Sequence, residues 1–173
     1  MDSRLSHIFA RRSVRSFKPQ KIADDMVKAI FEAAMAAPSA CDKRPYEFIQ
    51  VDEKGLLGKI TVFLPNGKFL VEAPLGIVVC GDLTVAHSNE LSYLLQDCSA
   101  AVENILLAVS ALGLGACWLG VHPRPDRIAG LQKLFTLPEN IIPVSVIAIG
   151  HPAGDIPPPR TQYDPSKIHV NAW

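Results

Sequence analysis

The sequence predicts one α/β or α+β domain of 173 residues, built on a mixed sheet. Three observations carry that expectation. Strand-like and helix-period segments alternate along the chain. A near-continuous apolar run, Leu75-Gly76-Ile77-Val78-Val79-Cys80-Gly81, reads as a central strand buried on both faces. A helical pattern from about 89 to 112 is apolar over most of its circumference, as a buried helix is. Apolar residues make up 49% of the chain and mean hydropathy is +0.20, enough to fill a core and leave some surface for a partner subunit.

The elements follow in order. Ser3 can cap a short helix through about Ala10. Asp24 and Asp25 open a second helix, their charges favourable to its dipole, and Met26, Val27, Ile30, Ala33 and Ala34 recur at helical spacing until Pro38. Phe48 to Val51 reads as a strand, followed by a short helix from about Lys54 to Val62. After the 75–81 strand comes the long helix, ended by Gly113 and Gly115. Ala116 to Gly120 reads as a short strand, and Pro125 suits the first turn of a helix running to about Phe135. Ile141 to Ile149 is another buried strand. From Pro152 the texture changes, since Pro157-Pro158-Pro159 can form neither helix nor central strand. The 152–173 segment, with Ile168, Val170 and Trp173, reads as an extended arm packing on a partner subunit rather than on its own core.

Composition narrows the function classes. Lys plus Arg equals Asp plus Glu, 17 each, so no global field favours nucleic acid or a membrane surface. The long helix approaches a membrane span in length, but Gln96, Asp97, Glu103 and Asn104 interrupt it. Cys41, Cys80, Cys98 and Cys117 form no CxxC pair, and the first residues lack the apolar stretch of a secretory signal; free thiols in a reducing cytoplasm are expected. The Arg- and Ser-rich stretch from Arg4 to Phe17 also has the texture of a transit peptide, although fold-like sequence resumes directly after it. The histidines are scattered with no metal-ligand spacing. There is no GxSxG elbow and no Walker motif, and Gly113-Leu114-Gly115 follows a helix rather than a strand, unlike a dinucleotide fingerprint.

What remains is Arg11-Arg12-Ser13-Val14-Arg15-Ser16-Phe17. Three guanidiniums interleave with two hydroxyls, with no acid nearby to neutralise them. An arginine fork matches a phosphate or carboxylate bidentately and stays charged at any physiological pH. With zero net charge, this local cluster suits a small anionic ligand better than a polymer. Ala37-Pro38-Ser39-Ala40 permits close backbone approach to a flat ligand, and Trp118-Leu119-Gly120-Val121 offers backbone N–H groups beside a glycine. Each of these is also an ordinary helix stop or turn.

Taken together and in order, these segments resemble the flavin-dependent nitroreductase family in its compact form, over essentially the whole chain. The matching pieces are the 11–17 cluster; Ala36-Ala37-Pro38-Ser39-Ala40 with Pro45-Tyr46-Glu47-Phe48; Gln96-Asp97-Cys98-Ser99-Ala100-Ala101 with Asn104-Ile105-Leu106-Leu107-Ala108; Gly113-Leu114-Gly115 with Trp118-Leu119-Gly120; and Tyr163-Asp164-Pro165-Ser166-Lys167-Ile168-His169. The resemblance implies an α+β, three-layer sandwich with a mixed central sheet flanked by helices and an extended C-terminal arm. It implies a homodimer with FMN in each interface cleft, NAD(P)H as co-substrate and no metal. Carried over by position, Arg11, Arg12 and Ser13 would hold the FMN phosphate, joined by Arg160. Arg15 would lie near N1 and O2 of the ring, where negative charge collects on reduction. Pro38, Ser39 and Ala40 would line the ring edge from the partner subunit, with Leu119 and the Gly120 N–H near N5 and Asn66 touching the flavin.

The chain departs from the family pattern in places. Asp42, Arg44, Pro45 and Tyr46 replace a neutral Asn/Gln/Trp stretch, which alters substrate preference or forms only a local salt bridge. Gln162 stands where a second basic residue is expected. The implied reaction is ping-pong hydride transfer from NAD(P)H through flavin N5 to a nitroaromatic, quinone or similar electrophile. Flavin-dependent dehalogenation or dehydrogenation on the same fold is the alternative among enzymes, and flavin binding without turnover is the alternative outside them.

Overall fold

Val- and Ile-rich runs at period 2 build the centre of the molecule, a sheet ordered β1-β2-β4-β3. The strands are β1 (Tyr46–Val51), β2 (Leu75–Asp82), β3 (Gly115–Gly120) and β4 (Ile141–Gly150), in a computed structural model that describes residues 2–173. Alternation along each strand supplies two cores. Ile77, Val79, Ile147 and Ile149 face one layer, while Val78, Cys80, Val146 and Ala148 face the other. The first layer is closed by α2 (Asp24–Met35) and α4 (Leu91–Ala111), the second by α3 (Lys54–Thr61) and α5 (Pro125–Phe135). This is the expected α+β three-layer sandwich. The short α1 (Ser6–Ala10) lies against α4.

Every strand-to-strand pairing is antiparallel, which corrects the expectation of a mixed sheet. The reason is topological. The crossover through α4 sends β2 and β3 in the same direction, as a β-α-β alternation leads one to expect, but β4 inserts between them and runs the other way. Among the described residues, parallel pairing is an isolated bridge between Ser13 and Ala116 at the β3 edge.

Most element limits fall within a residue or two of the sequence expectation, and the shifts have local causes. The first helix opens as a 3-10 turn, Ser3–Leu5, and its cap is Asp2 instead of Ser3: the Asp2 carboxylate accepts from the Arg4 N–H at 3.0 Å. β1 starts at Tyr46, ahead of Phe48. The buried Tyr46 hydroxyl reaches the Met35 and Ala37 carbonyls, both at 3.0 Å, and so fastens the strand to the end of α2. The long helix starts at Leu91 because Ser88 and Asn89 hold φ of 55°, outside the helical region.

By length and composition α4 could span a membrane, yet Leu94, Cys98, Ala101, Val102, Ile105 and Val109 are buried between the sheet and α2. It is therefore a core helix. Close approach of α4 to the sheet depends on Gly81 in β2, where a Cβ would lie 2.5 Å from Leu94. Across this contact the Cys98 thiol faces the Cys80 carbonyl, and burial pushes both thiols up to about 12. All four cysteines are free, and Cys41 is exposed.

The C-terminal segment starts along its own N-terminal segment. Its first half runs along its own chain: Pro152 bridges Phe17, the Ala153 N–H donates to the Ser16 carbonyl at 3.1 Å, and the Arg160 N–H donates to the Phe9 carbonyl at 3.1 Å. Arg12 adds a bond to the Pro158 carbonyl. Proline has no N–H of its own to donate, so the 157–159 run can be held only through its carbonyls. Beyond Arg160, Tyr163, Ile168, Val170 and Trp173 stand exposed on the single chain.

Candidate functional site

Arg11 to Arg15 is an extended segment that docks on the β3 edge. The Val14 N–H donates to the Ala116 carbonyl at 2.9 Å. Val14 sits over Gly115, where a Cβ would lie 2.6 Å from its own Cβ and 2.8 Å from both its methyls. Alternation in an extended chain then turns Ser13 and Arg15 away from Val14. Both are exposed, while Arg11, Arg12 and Val14 are half-buried.

Two cavities share Arg15. The first, about 400 Å³, is lined by Arg11, Arg12, Ser13, Arg15 and Arg160 together with Ile8, Phe9 and Pro157. The second, about 250 Å³, is lined by Arg15, Asn66, Trp118, Leu119, Gly120 and Arg127, with apolar Leu64 and Phe69 beside them. No acid lines either cavity. The fold does bring one acid close from outside. Glu103 of α4 lies 3.5 Å from Arg11 Nε, which corrects the reading of a cluster with no acid nearby. That pair is partly solvated, and such pairs contribute about 0–1 kcal/mol, too little to satisfy so many guanidiniums. The Cys117 thiol also lines the second cavity; burial raises its pKa and the neighbouring Arg15 opposes that rise.

The structure thus gathers Arg11, Arg12, Ser13, Arg15 and Arg160 in one cavity and Arg15, Asn66, Leu119 and Gly120 in the next. It does not bring Pro38, Ser39 or Ala40 to either. Those residues lie on a clamped loop between α2 and β1. The Ala40 N–H donates to Asp97 Oδ1 at 2.9 Å, the Asn104 amide donates to the Ala33 carbonyl at 2.9 Å, and the Ser39 hydroxyl accepts from the Arg44 N–H at 2.8 Å. Cys41, Asp42 and Arg44 hold positive φ. Asp42 and Arg44 form a two-pronged ion pair, at 2.7 and 2.9 Å, on the exposed side of the loop. The Arg44 guanidinium lowers the Asp42 pKa, so the departure from the family pattern is an intraloop salt bridge. Gln162 lies outside both cavities.

Arg127 leaves no mark in the sequence pattern. It sits in the first turn of α5, and its Nη1 donates to the Gly120 carbonyl at 2.6 Å. No motif signals it, because only the fold brings the start of α5 beside the end of β3. A larger cavity, about 670 Å³, is rimmed by Lys21, Lys54, Asp52 and Glu72 and contains none of the candidate residues. No group of His, Cys, Asp and Glu among the described residues could hold a metal ion.

Comparison with known proteins places this geometry in context. The family model described as the nitroreductase family matches residues 8–59 and 62–151. A protein of Methanothermobacter thermautotrophicus named "Putative NADH dehydrogenase/NAD(P)H nitroreductase" is 42% identical over 98% of this chain and 87% of its own length. A crystal structure of a protein of the same name from Parabacteroides distasonis superposes with a TM-score of 0.92 at 38% identity, covering all of both chains. An FMN-dependent nitroreductase from Clostridium difficile superposes with a TM-score of 0.89 at 28% identity, over 98% of this chain and 99% of its own.

The seat of Val14 on Gly115 has a direct test. A methyl group there overfills the contact, so Gly115→Ala is expected to lower stability by about 1–3 kcal/mol in urea unfolding. Gly154→Ala, which meets nothing within 4 Å, serves as control and should stay within about 0.5 kcal/mol of the parent. Equal midpoints for the two variants would mean that Val14 does not depend on that glycine.

Proposed function

The chain belongs to the nitroreductase family, and on that premise we propose that residues 1–173 form a single FMN-binding unit of a homodimeric reductase. It is an NAD(P)H-dependent, flavin-dependent oxidoreductase. The finer reading is a ping-pong cycle that reduces a nitroaromatic, quinone or similar small electrophile in the cytoplasm, where its four thiols would stay reduced. The observation that carries it is the pair of acid-free cavities meeting at Arg15.

The residues present fit FMN. Arg11, Arg12 and Arg160 with the Ser13 hydroxyl would take the phosphate by charge-assisted hydrogen bonds. Leu119, Gly120 and Asn66 would border the flat ring, and Pro38, Ser39 and Ala40 would reach it from the partner subunit. When bound, FMN supplies the two-electron hydride chemistry. The protein binds, orients and tunes. Arg15, common to both cavities, sets a fixed positive charge where the reduced ring gathers electron density. No side chain has to act as nucleophile, and solvent can supply the proton that completes reduction of the electrophile.

Two observations favour the dimer. The 161–173 segment leaves Tyr163, Ile168, Val170 and Trp173 exposed, and the 37–40 loop is hydrogen-bonded to Tyr46 and Asp97 without meeting a cavity of its own chain. Deleting 157–173 should shift sedimentation toward monomer; a truncated protein that remains a tight dimer would refute the wrapping arm.

Activity has a simple measurement. Purified protein should be yellow, or turn so with added FMN, and should oxidise NADH or NADPH with nitrofurazone or menadione as acceptor. Tightly held FMN with negligible turnover would favour a flavin-binding protein over a reductase, and a protein colourless even with added FMN would sink every flavin reading.

A further inference from the structure

Four guanidiniums line the first cavity, and they come from two stretches of chain far apart in sequence. Arg11, Arg12 and Arg15 belong to the segment docked on β3, whereas Arg160 belongs to the C-terminal arm. No carboxylate lines this space of about 400 Å³. Like charges sharing one space repel, so an empty cavity opposes docking of the arm, and an anion between the two stretches favours it.

Little else holds the arm down. Residues 153–173 are all exposed, so burial adds little to the docking. From Gly154 onward, two hydrogen bonds tie the arm to the rest of the chain among the described residues. Arg12 donates to the Pro158 carbonyl, and the Arg160 N–H donates to the Phe9 carbonyl at 3.1 Å. The prolines at 157–159 have no N–H to add. The Arg160 guanidinium makes no ion pair among the described residues. Arg12, in contrast, spans the two sides: its Nη1 holds the arm while its residue lines the cavity.

We propose that a phosphate in this cavity staples the C-terminal arm to the N-terminal segment, so that cofactor loading and arm docking strengthen each other. The identification of that phosphate as the one on FMN rests on the flavin reading; the coupling stands on the two-sided, acid-free cavity. The reciprocity is a thermodynamic necessity once the anion binds the docked arm better than the lifted one. The lifted form loses Arg160 and keeps the other donors, and one charge-assisted contact corresponds to about 10-fold in the docking equilibrium.

The Arg160 amide reports docking directly, because its N–H is held by Phe9 and not by the guanidinium. Its hydrogen exchange in the full-length, flavin-free protein tracks the fraction of lifted arm. Saturating FMN should slow that exchange roughly 10-fold, and saturating inorganic phosphate should slow it in the same direction. Riboflavin, which has the ring without the phosphate, should leave it unchanged. In Arg160→Gln the amide is retained, FMN should bind about 10-fold more weakly, and loading should no longer slow exchange at residue 160. Arg160→Lys should keep part of both effects.

FMN that binds tightly without slowing the Arg160 amide overturns the staple, and so does riboflavin that protects it as well as FMN does. Protection by FMN that persists in Arg160→Gln overturns it too, since the guanidinium would then not be the link. Protection by inorganic phosphate in a protein that never binds FMN would uphold the staple and sink the flavin reading instead.

Discussion

One short contact, the pairing of Ser13 and Val14 with Ala116, sets where everything else in the site can be. It is a single parallel bridge with one hydrogen bond of 2.9 Å and a valine seated on a glycine. Without it the arginine-rich segment would be one more solvated stretch of charge. With it, the segment lies along β3, whose far end carries Leu119 and Gly120. The extended backbone turns Val14 inward and its neighbours outward, so hydrophobic anchoring and charge presentation come from the same few residues. Arg15 consequently belongs to both cavities, and a ligand with an anionic end and a flat, electron-accepting end can span them.

The other constraint is burial of α4. A 21-residue helix, roughly 30 Å long, passes through the middle of the domain and presents Glu103 to Arg11 on one side and Asp97 to Ala40 on another. Asp97 is 5% exposed; its Oδ1 is used by the loop and its Oδ2 has no partner among the described residues. A buried, half-satisfied carboxyl costs stability, and here it fixes the Ser39–Ala40 turn. Tyr46 and Asp97 hold that loop from two elements through the Ala37 carbonyl and the Ala40 N–H, Asn104 holds the end of α2 beside it, and the loop meets neither cavity of its own chain.

Helices and strands are legible in this sequence because hydrophobic period is a local signal. Pro125 marks the start of α5 to the residue, and the unbroken apolar run marks β2. Sheet direction is not legible, since β4 comes last in sequence and yet separates β2 from β3. The spacing of Arg and Ser suggests a phosphate cradle, and the fold gathers those residues with Arg160 in one cavity. Contacts formed only by tertiary packing are invisible beforehand. Neither Glu103 against Arg11 nor Arg127 against Gly120 leaves a trace in local pattern. The first half of the arm hides its own-chain docking for a related reason: a proline run without donors still offers carbonyls, and Arg12 takes one of them.

The central claim is that the four-arginine cavity grips the phosphate of a flavin whose ring lies beyond Arg15. Riboflavin carries the same ring without the phosphate, so the most direct measurement is the affinity of the flavin-free protein for FMN against riboflavin, at low ionic strength. Two or more charge-assisted contacts of about 1.5–3 kcal/mol each predict FMN binding at least ~100-fold tighter. Equal affinities would place the phosphate outside the arginine cavity.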